Sequence, residues 1–354
     1  MTELARPGEL ISTIELAQAT RNRGMPLEAM RHDVTPVGLH YLLVHFDIPA
    51  LDPAEWRLRV TGNVERELVL DLASIRSRPP STVAVTMECA GNGRARLEPR
   101  PISQPWLNEA IGTASWTGAP LGELLAEAGI GADTVELVFT GADHGIEGGE
   151  ELDYARSLSV EEASRPSVLL AYEMNGRPLE PQHGFPLRLL VPGWYGMTSV
   201  KWLTEIEAVT EPFRGYHQAT AYHYKQDDDG PGEPVSRIRP RALMIPPGFP
   251  DFPERSRYVE RGPVAVAGRA WSGTAPIARV EVAVDGEWHD AELSEPVGEW
   301  AWRAWSWRWE AEPGEHLLAC RASDASGRSQ PVEQPWNVQG MGNNLVQQVP
   351  VLVR

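Results

Sequence analysis

Apolar residues alternate with polar or small ones through Val83, Val85 and Met87, a period of two that predicts a strand with Cys89 on its apolar side, just where the chain turns. The turn reads TMECAGNGR over residues 86–94, and Gly91 and Gly93 are expected to leave room for a bulky group against the backbone. Upstream, residues 40–53 (HYLLVHFDIPALDP) start as an apolar strand and end in a proline-rich turn, and residues 56–60 and 68–72 read as two strands around a turn at 61–63. Downstream, Leu121, Leu124, Leu125 and Ala128 share one face of a short amphipathic helix closed by Gly129. Residues 135–140 form a buried strand entering GADHG at 141–145, and residues 168–179 form a hairpin about Asn175-Gly176.

The second half of the chain has a different texture. Residues 225–257 are rich in Pro, Asp and Gly, which predicts an extended linker wrapped over the first domain. From Gly262 onward short alternating strands recur between turn signals such as Asp285-Gly286 and Ser326-Gly327, the pattern of an immunoglobulin-like β-sandwich. Trp300, Trp302, Trp305, Trp307 and Trp309 alternate with one slip in parity, which predicts a bulge and either a core face or a partner surface. The expected organisation is an α+β protein with an N-terminal arm (1–34), a first domain (35–224), a linker (225–257) and a β-sandwich domain (258–354).

A chain of 354 residues suffices for two cores, and at 42% hydrophobic content no apolar run is long enough to cross a bilayer. The first thirty residues hold neither an apolar signal core nor a twin-arginine pair, so a cytoplasmic location is expected. A formal net charge of −17 argues against nucleic-acid and membrane partners, and against an anionic substrate unless its pocket is locally basic. Cys89 and Cys320, the only cysteines, fall in different domains and are not expected to pair. The Cys89 thiol is open to three readings: metal ligand, nucleophile or buried structural group. His40 and His45 are core residues or ligands, and Asp143 a turn former or a functional carboxylate. Arg94, His183, Arg188 and Lys201, all at loop or strand-edge positions of one domain, suit a phosphate or another anion better than scattered surface charge does.

The stretch MECAGNGR at 87–94 resembles the cysteine loop of the sulfite oxidase family of molybdenum enzymes. IGTASWTG at 111–118, LAYEMNG at 170–176, HGFPLR at 183–188 and SVKW at 199–202 look like its catalytic-domain motifs in order, and WNVQGMGNN at 336–344 looks like the end of its dimerisation domain. The resemblance implies a Cys-ligated molybdenum carried by one molybdopterin, with Cys89 as the metal ligand and His45, Asp143, His183, Arg188, Ser199, Val200 and Lys201 as cofactor anchors. It implies oxygen-atom transfer, with Arg94 and Tyr224 in the substrate pocket. One position departs from the family: Leu43 stands where an arginine is expected, and His40 is the candidate to compensate. Sulfite or a similar small molecule is the expected substrate, and a sulfoxide is the rival within the same fold. A cysteine hydrolase built on Cys89 and His183, and a binding protein built on the sandwich, are the rivals outside it. With no haem-binding segment in the chain, electrons are expected to leave to a separate acceptor. A homodimer through the second domain is also expected, so that deletion from Gly262 onward would chiefly disrupt the dimer.

Overall fold

A computed structural model describes residues 2–354. The first domain is built on two sheets. The larger runs in the order Leu68–Leu70, Leu58–Gly62, Leu203–Val209, Glu136–Glu147, Glu150–Ser159, with one parallel pairing between Leu58–Gly62 and Leu203–Val209. The smaller pairs Ser81–Glu88 with Ile111–Pro120 and then Leu169–Met174, which in turn pairs Arg188–Leu190. The helix Leu121–Ala128 buries its leucine face in the core between them, and Gly129 ends it with φ +71°. Asn175 and Gly176, at φ +53° and +72°, supply the left-handed pair that the hairpin turn requires.

The sandwich has two sheets. One is ordered Arg241–Ile245, Gly262–Trp271, Arg303–Ala311, Glu292–Leu293, and the other Phe249–Pro250, Arg257–Val259, Gln347–Val353, Gly314–Asp324, Ile277–Val284, Glu287–Asp290. Val266, Val280, Val282, Trp305, Trp309, Leu318 and Cys320 pack between them. Among the described residues no helix is long and apolar enough to cross a membrane.

Three local expectations give way. Residues 40–53 contain only the isolated bridge at Leu42, because His40 closes a short 3-10 turn and Tyr41, Leu42, Leu43 and His45 line a cavity. The stretch expected to be linker holds Arg241–Ile245, a strand whose Ala242 and Met244 reach the sandwich core. The parity slip among the tryptophans is not a bulge, since pairing between Gly262–Trp271 and Arg303–Ala311 runs unbroken. Trp300 and Trp302 simply precede the strand. Trp302 is fully buried in a third core between the domains, with Met25, Met30, Tyr195 and Trp271, and donates to the Asp33 carbonyl at 2.8 Å. The N-terminal arm thus contributes buried side chains to the seam between the domains.

Candidate active site

Cys89 follows the strand Ser81–Glu88, and its N–H extends the ladder by one bond, to the Ala110 carbonyl at 2.9 Å. The chain then folds back: Asn92 N–H donates to the Cys89 carbonyl at 3.0 Å, and Gly93 adopts φ +90°. The Asn92 side chain locks this turn, accepting from Ala110 N at 3.1 Å and donating to Glu88 Oε1 at 3.0 Å. The two glycines do not clear space for a ligand. A Cβ on Gly91 would lie 2.8 Å from the Arg94 guanidinium, and one on Gly93 would lie 2.9 Å from the Asn343 carbonyl, so they admit neighbouring protein groups instead.

On its other side Cys89 lines a cavity. One wall is basic. Arg188 donates to the His183 and Ser199 carbonyls, both at 3.0 Å, and its guanidinium lies 4.9 Å from the centre of the Trp116 ring. Lys201 Nζ donates to the Leu43 carbonyl at 2.7 Å and the Gln182 carbonyl at 3.3 Å. Ser199 Oγ accepts from Val191 N–H at 3.1 Å. A second wall is aromatic: the Tyr222 hydroxyl and His45 Nε2 are hydrogen-bonded at 2.7 Å, and the His45 ring stacks on Tyr154 at 4.8 Å. Leu43, Met87 and Met197 fill in between.

Several buried polar atoms of this cavity have no partner: Asp143 Oδ1, His183 Nε2, His40 Nε2 and Arg188 Nε. Each such atom costs about 1–3 kcal/mol if nothing meets it. Burial also shapes the charges. It drives the His183 pKa down to about 2 and those of His40 and His45 to about 4, so all three rings are neutral at neutral pH. Burial, with Arg188 close by, lowers Lys201 to about 7; burial raises Asp143 to about 6 against the pull of Lys201. Burial also pushes the Cys89 thiol up, opposed by the charge of Arg94 and the Gly91 N–H. A thiolate here therefore calls for a strong local cation, which a bound metal supplies.

Of the residues singled out in the sequence, the cavity gathers His40, His45, Cys89, Asp143, His183, Arg188, Ser199 and Lys201. Three lie elsewhere. Val200 points its side chain into the first domain's core, and its amide and carbonyl are bonded to Thr198 and Leu189. Tyr224 stands outside the cavity beneath Arg239, whose guanidinium is 4.1 Å from its ring centre; Tyr222 is the tyrosine on the wall. Tyr222 precedes the two-residue strand His223–Tyr224, too short for alternation to choose between the two tyrosines. Arg94 is buried behind the loop, with its guanidinium on the Gln339 carbonyl at 3.0 Å, Ser103 Oγ at 3.1 Å and Met341 Sδ at 3.3 Å. His40 cannot replace the missing arginine as a charge, because its ring is neutral and its Nδ1 is taken by the Tyr41 carbonyl at 3.0 Å. Sequence reasoning also passed over Tyr41, Tyr154 and Gln182, ordinary residues whose role comes only from where the fold sets them.

Comparison with known proteins bears directly on this geometry. Residues 45–217 match the oxidoreductase molybdopterin binding domain, and residues 252–354 the Mo-co oxidoreductase dimerisation domain. Sulfite oxidase of Gallus gallus is 34% identical over 335 residues, an alignment covering 87% of this chain and 71% of that protein. The chain belongs to the sulfite oxidase family of molybdopterin-binding oxidoreductases. Mitochondrial sulfite oxidase of Mus musculus is 33% identical over 348 residues, and there the chain spans 62% of the relative's length. Nitrate reductase [NADH] 2 of Phaseolus vulgaris is 32% identical over 361 residues and is covered over 40% of its length, so the family likeness alone does not select a substrate. Among solved structures, the sulfane dehydrogenase SoxCD from Paracoccus pantotrophus superposes with a TM-score of 0.80 at 25% identity, covering 97% of this chain and 90% of that one.

The cavity fits the family's cofactor. Its unpartnered atoms include the Arg188 Nε–H donor, His183 Nε2, which donates when the proton sits there, and an Asp143 carboxylate oxygen, matching a group with a phosphate at one end and amino groups elsewhere. Among the described residues no three His, Cys, Asp or Glu side chains are placed to hold a metal ion. Cys89 is thus a lone soft donor, as suits a metal whose remaining ligands arrive with the pterin.

Proposed function

We propose that this protein oxidises sulfite to sulfate by oxygen-atom transfer, using a molybdenum held by Cys89 and one molybdopterin, and passes the electrons to a separate acceptor. The observation that carries the reading is the Cys89 sulfur on the wall of a cavity whose lining residues Asp143, His183, His40 and Arg188 keep unmet buried polar atoms. When bound, the metal centre supplies the oxygen-atom transfer and takes up the two electrons. The chain supplies binding and exclusion of water. Arg188, Lys201 and His183 hold the cofactor's phosphate, and Asp143 accepts from its amino groups. The Tyr222 hydroxyl, oriented by His45 Nε2, is available to a substrate oxygen, while Leu43, Met87 and Met197 keep the wall dry. Arg94 adds positive charge from behind the loop. The sandwich supports a homodimer, for which light scattering at micromolar concentration is the check; a monomer would count against it.

A second reading, turnover of a different sulfur substrate such as a sulfoxide, is favoured by one specific observation. Leu43 lines the cavity where the family arginine is expected, and the Arg94 guanidinium is already engaged by protein acceptors, so a dianion meets less free positive charge. Protein purified from cells competent for the cofactor should contain about one molybdenum per chain. Steady-state assays with sulfite plus an artificial oxidant, and with methionine sulfoxide plus a reductant, separate the two readings. Metal-replete protein that turns over neither would reject both.

A further inference from the structure

Glu88, the residue before the cysteine, is 3% exposed and has both carboxylate oxygens engaged. Oε1 accepts from Arg241 Nη1 at 2.6 Å and from Asn92 Nδ2 at 3.0 Å, and Oε2 accepts from Trp271 Nε1 at 2.8 Å. Arg241 and Trp271 belong to the second domain and face each other as partners in one rung of its sheet. The Arg241 guanidinium also donates to the Asn343 carbonyl, and Asn343 Nδ2 donates to the Gly93 carbonyl at 2.8 Å. Gly342 N–H donates to the Ala90 carbonyl at 2.6 Å. The residue before Cys89, the residue after it and the far end of its turn are therefore all held from the second domain.

Hydrophobic packing alone would suffice to bury such a seam, and a buried ion pair rarely improves stability over apolar residues of the same volume. Directional bonds do something that packing does not: they fix position. We propose that Glu88 and Arg241 are positioning residues for the Cys89 sulfur, so that the second domain sets where the metal ligand sits. The proposal rests on Cys89 being that ligand, as argued above. It assigns the sandwich a part in the catalytic centre beyond dimerisation, and makes the bond from sulfur to metal sensitive to a contact made on the opposite side of the loop from the cavity.

Three variants test this in the molybdenum-loaded full chain. W271F removes one bond to Glu88 and keeps the ion pair; R241K keeps the charge and loses the forked contact; E88L/R241M removes both charges, so that neither is left unpaired. Each is compared with the unaltered protein by molybdenum content, the sulfur-to-metal absorption band, kcat and KM, together with the alkylation rate of Cys89 before loading. The expected result for E88L/R241M is near-native metal content, a displaced band, altered alkylation and a kcat about tenfold lower, with KM within about twofold. R241K should recover part of the loss, and W271F should show the smallest change. Folded, metal-replete variants with the native band, alkylation rate and kcat would overturn the proposal and leave the pair a structural contact only. If the double variant does not fold, native spectra and rates in both W271F and R241K overturn it equally. Failure of the functional reading looks different, because the unaltered protein would then itself lack the band.

Discussion

Two groups of buried polar side chains flank the Cys89 turn, and they are about equally hidden: Arg241 is 1% exposed, Glu88 3%, His183 3% and Asp143 4%. On the seam side Glu88, Asn92, Trp271 and Asn343 find hydrogen-bond partners for their side chains, and Arg241 leaves only Nε over. On the cavity side Asp143, His183 and His40 each keep an unmet atom, while Arg188, like Arg241, is bonded at both Nη atoms and leaves only Nε over. Burial is thus the same and satisfaction is not. The comparison teaches that within one small region the paired polar groups are those that hold the protein to itself, and the unpaired ones are those shaped for something the chain does not contain.

The most damaging ways to test this contrast are those that remove a whole side of it. Cys89→Ala should abolish both metal binding and turnover, with molybdenum analysis as the readout. Deleting residues from Gly262 onward should also abolish metal binding, because it removes Trp271 and Trp302 from the seam and Asn343 from the cysteine turn. That outcome departs from the sequence expectation that the deletion would chiefly disrupt the dimer; a well-folded, metal-loaded truncated monomer would restore it.

Next in size come single changes that should behave in opposite ways on the two sides. Arg241→Met leaves Glu88 charged and buried without its main partner, and should cost about 3–5 kcal/mol in urea denaturation. Asp143→Asn replaces a carboxylate that burial already disfavours and that has an unmet oxygen. Without cofactor it should leave stability unchanged or raise it by about 1 kcal/mol, while cofactor retention falls. Equal losses of stability in the two variants would dissolve the distinction.

How much of this could be read from the chain follows from range. The strand to Cys89, the leucine helix and the Asn175-Gly176 turn are written in periods of two to four residues, and they form as expected. Arg241–Ile245 was hidden because its five residues sit between Pro240 and Pro246, which gave the stretch the look of a linker. The seam had no local signal at all: Glu88 meets Arg241 across 153 positions, and Asn343 meets Gly93 across 250. The cavity was legible in its members and not in its boundary, since no local pattern distinguishes Tyr222 from Tyr224 and only packing separates them.

Protonation offers a gentler probe of the cavity side. Unfolded histidines protonate near 6.5, whereas His40 resists until about 4 and His183 until about 2, both chiefly through burial. Between those values the unfolded state binds more protons, so stability should fall as pH drops through 6.5 toward 4, with His40 alone contributing on the order of 3 kcal/mol across that window. Denaturation midpoints measured for cofactor-free protein at pH 7 and pH 5 check the sign, and His40→Gln should flatten the slope. A slope that His40→Gln leaves unchanged would mean that the His40 ring is charged in the folded protein.

The smallest expected effect asks what the cavity is shaped to receive. Leu43 lines the wall near Lys201, which uses the Leu43 carbonyl, so Leu43→Arg keeps that backbone contact while bringing a cation toward the aromatic wall. If the substrate is a dianion such as sulfite, a charge-assisted contact worth about 1–2 kcal/mol should lower KM roughly fivefold or more, with kcat little changed. If the natural substrate is a neutral sulfur compound, the same arginine should raise its KM by desolvating an unpaired charge against Tyr154 and Met197, even as it improves sulfite. The two substrates then move in opposite directions in one variant, and the sign of each shift shows whether Leu43 is a lost contact or a selected one.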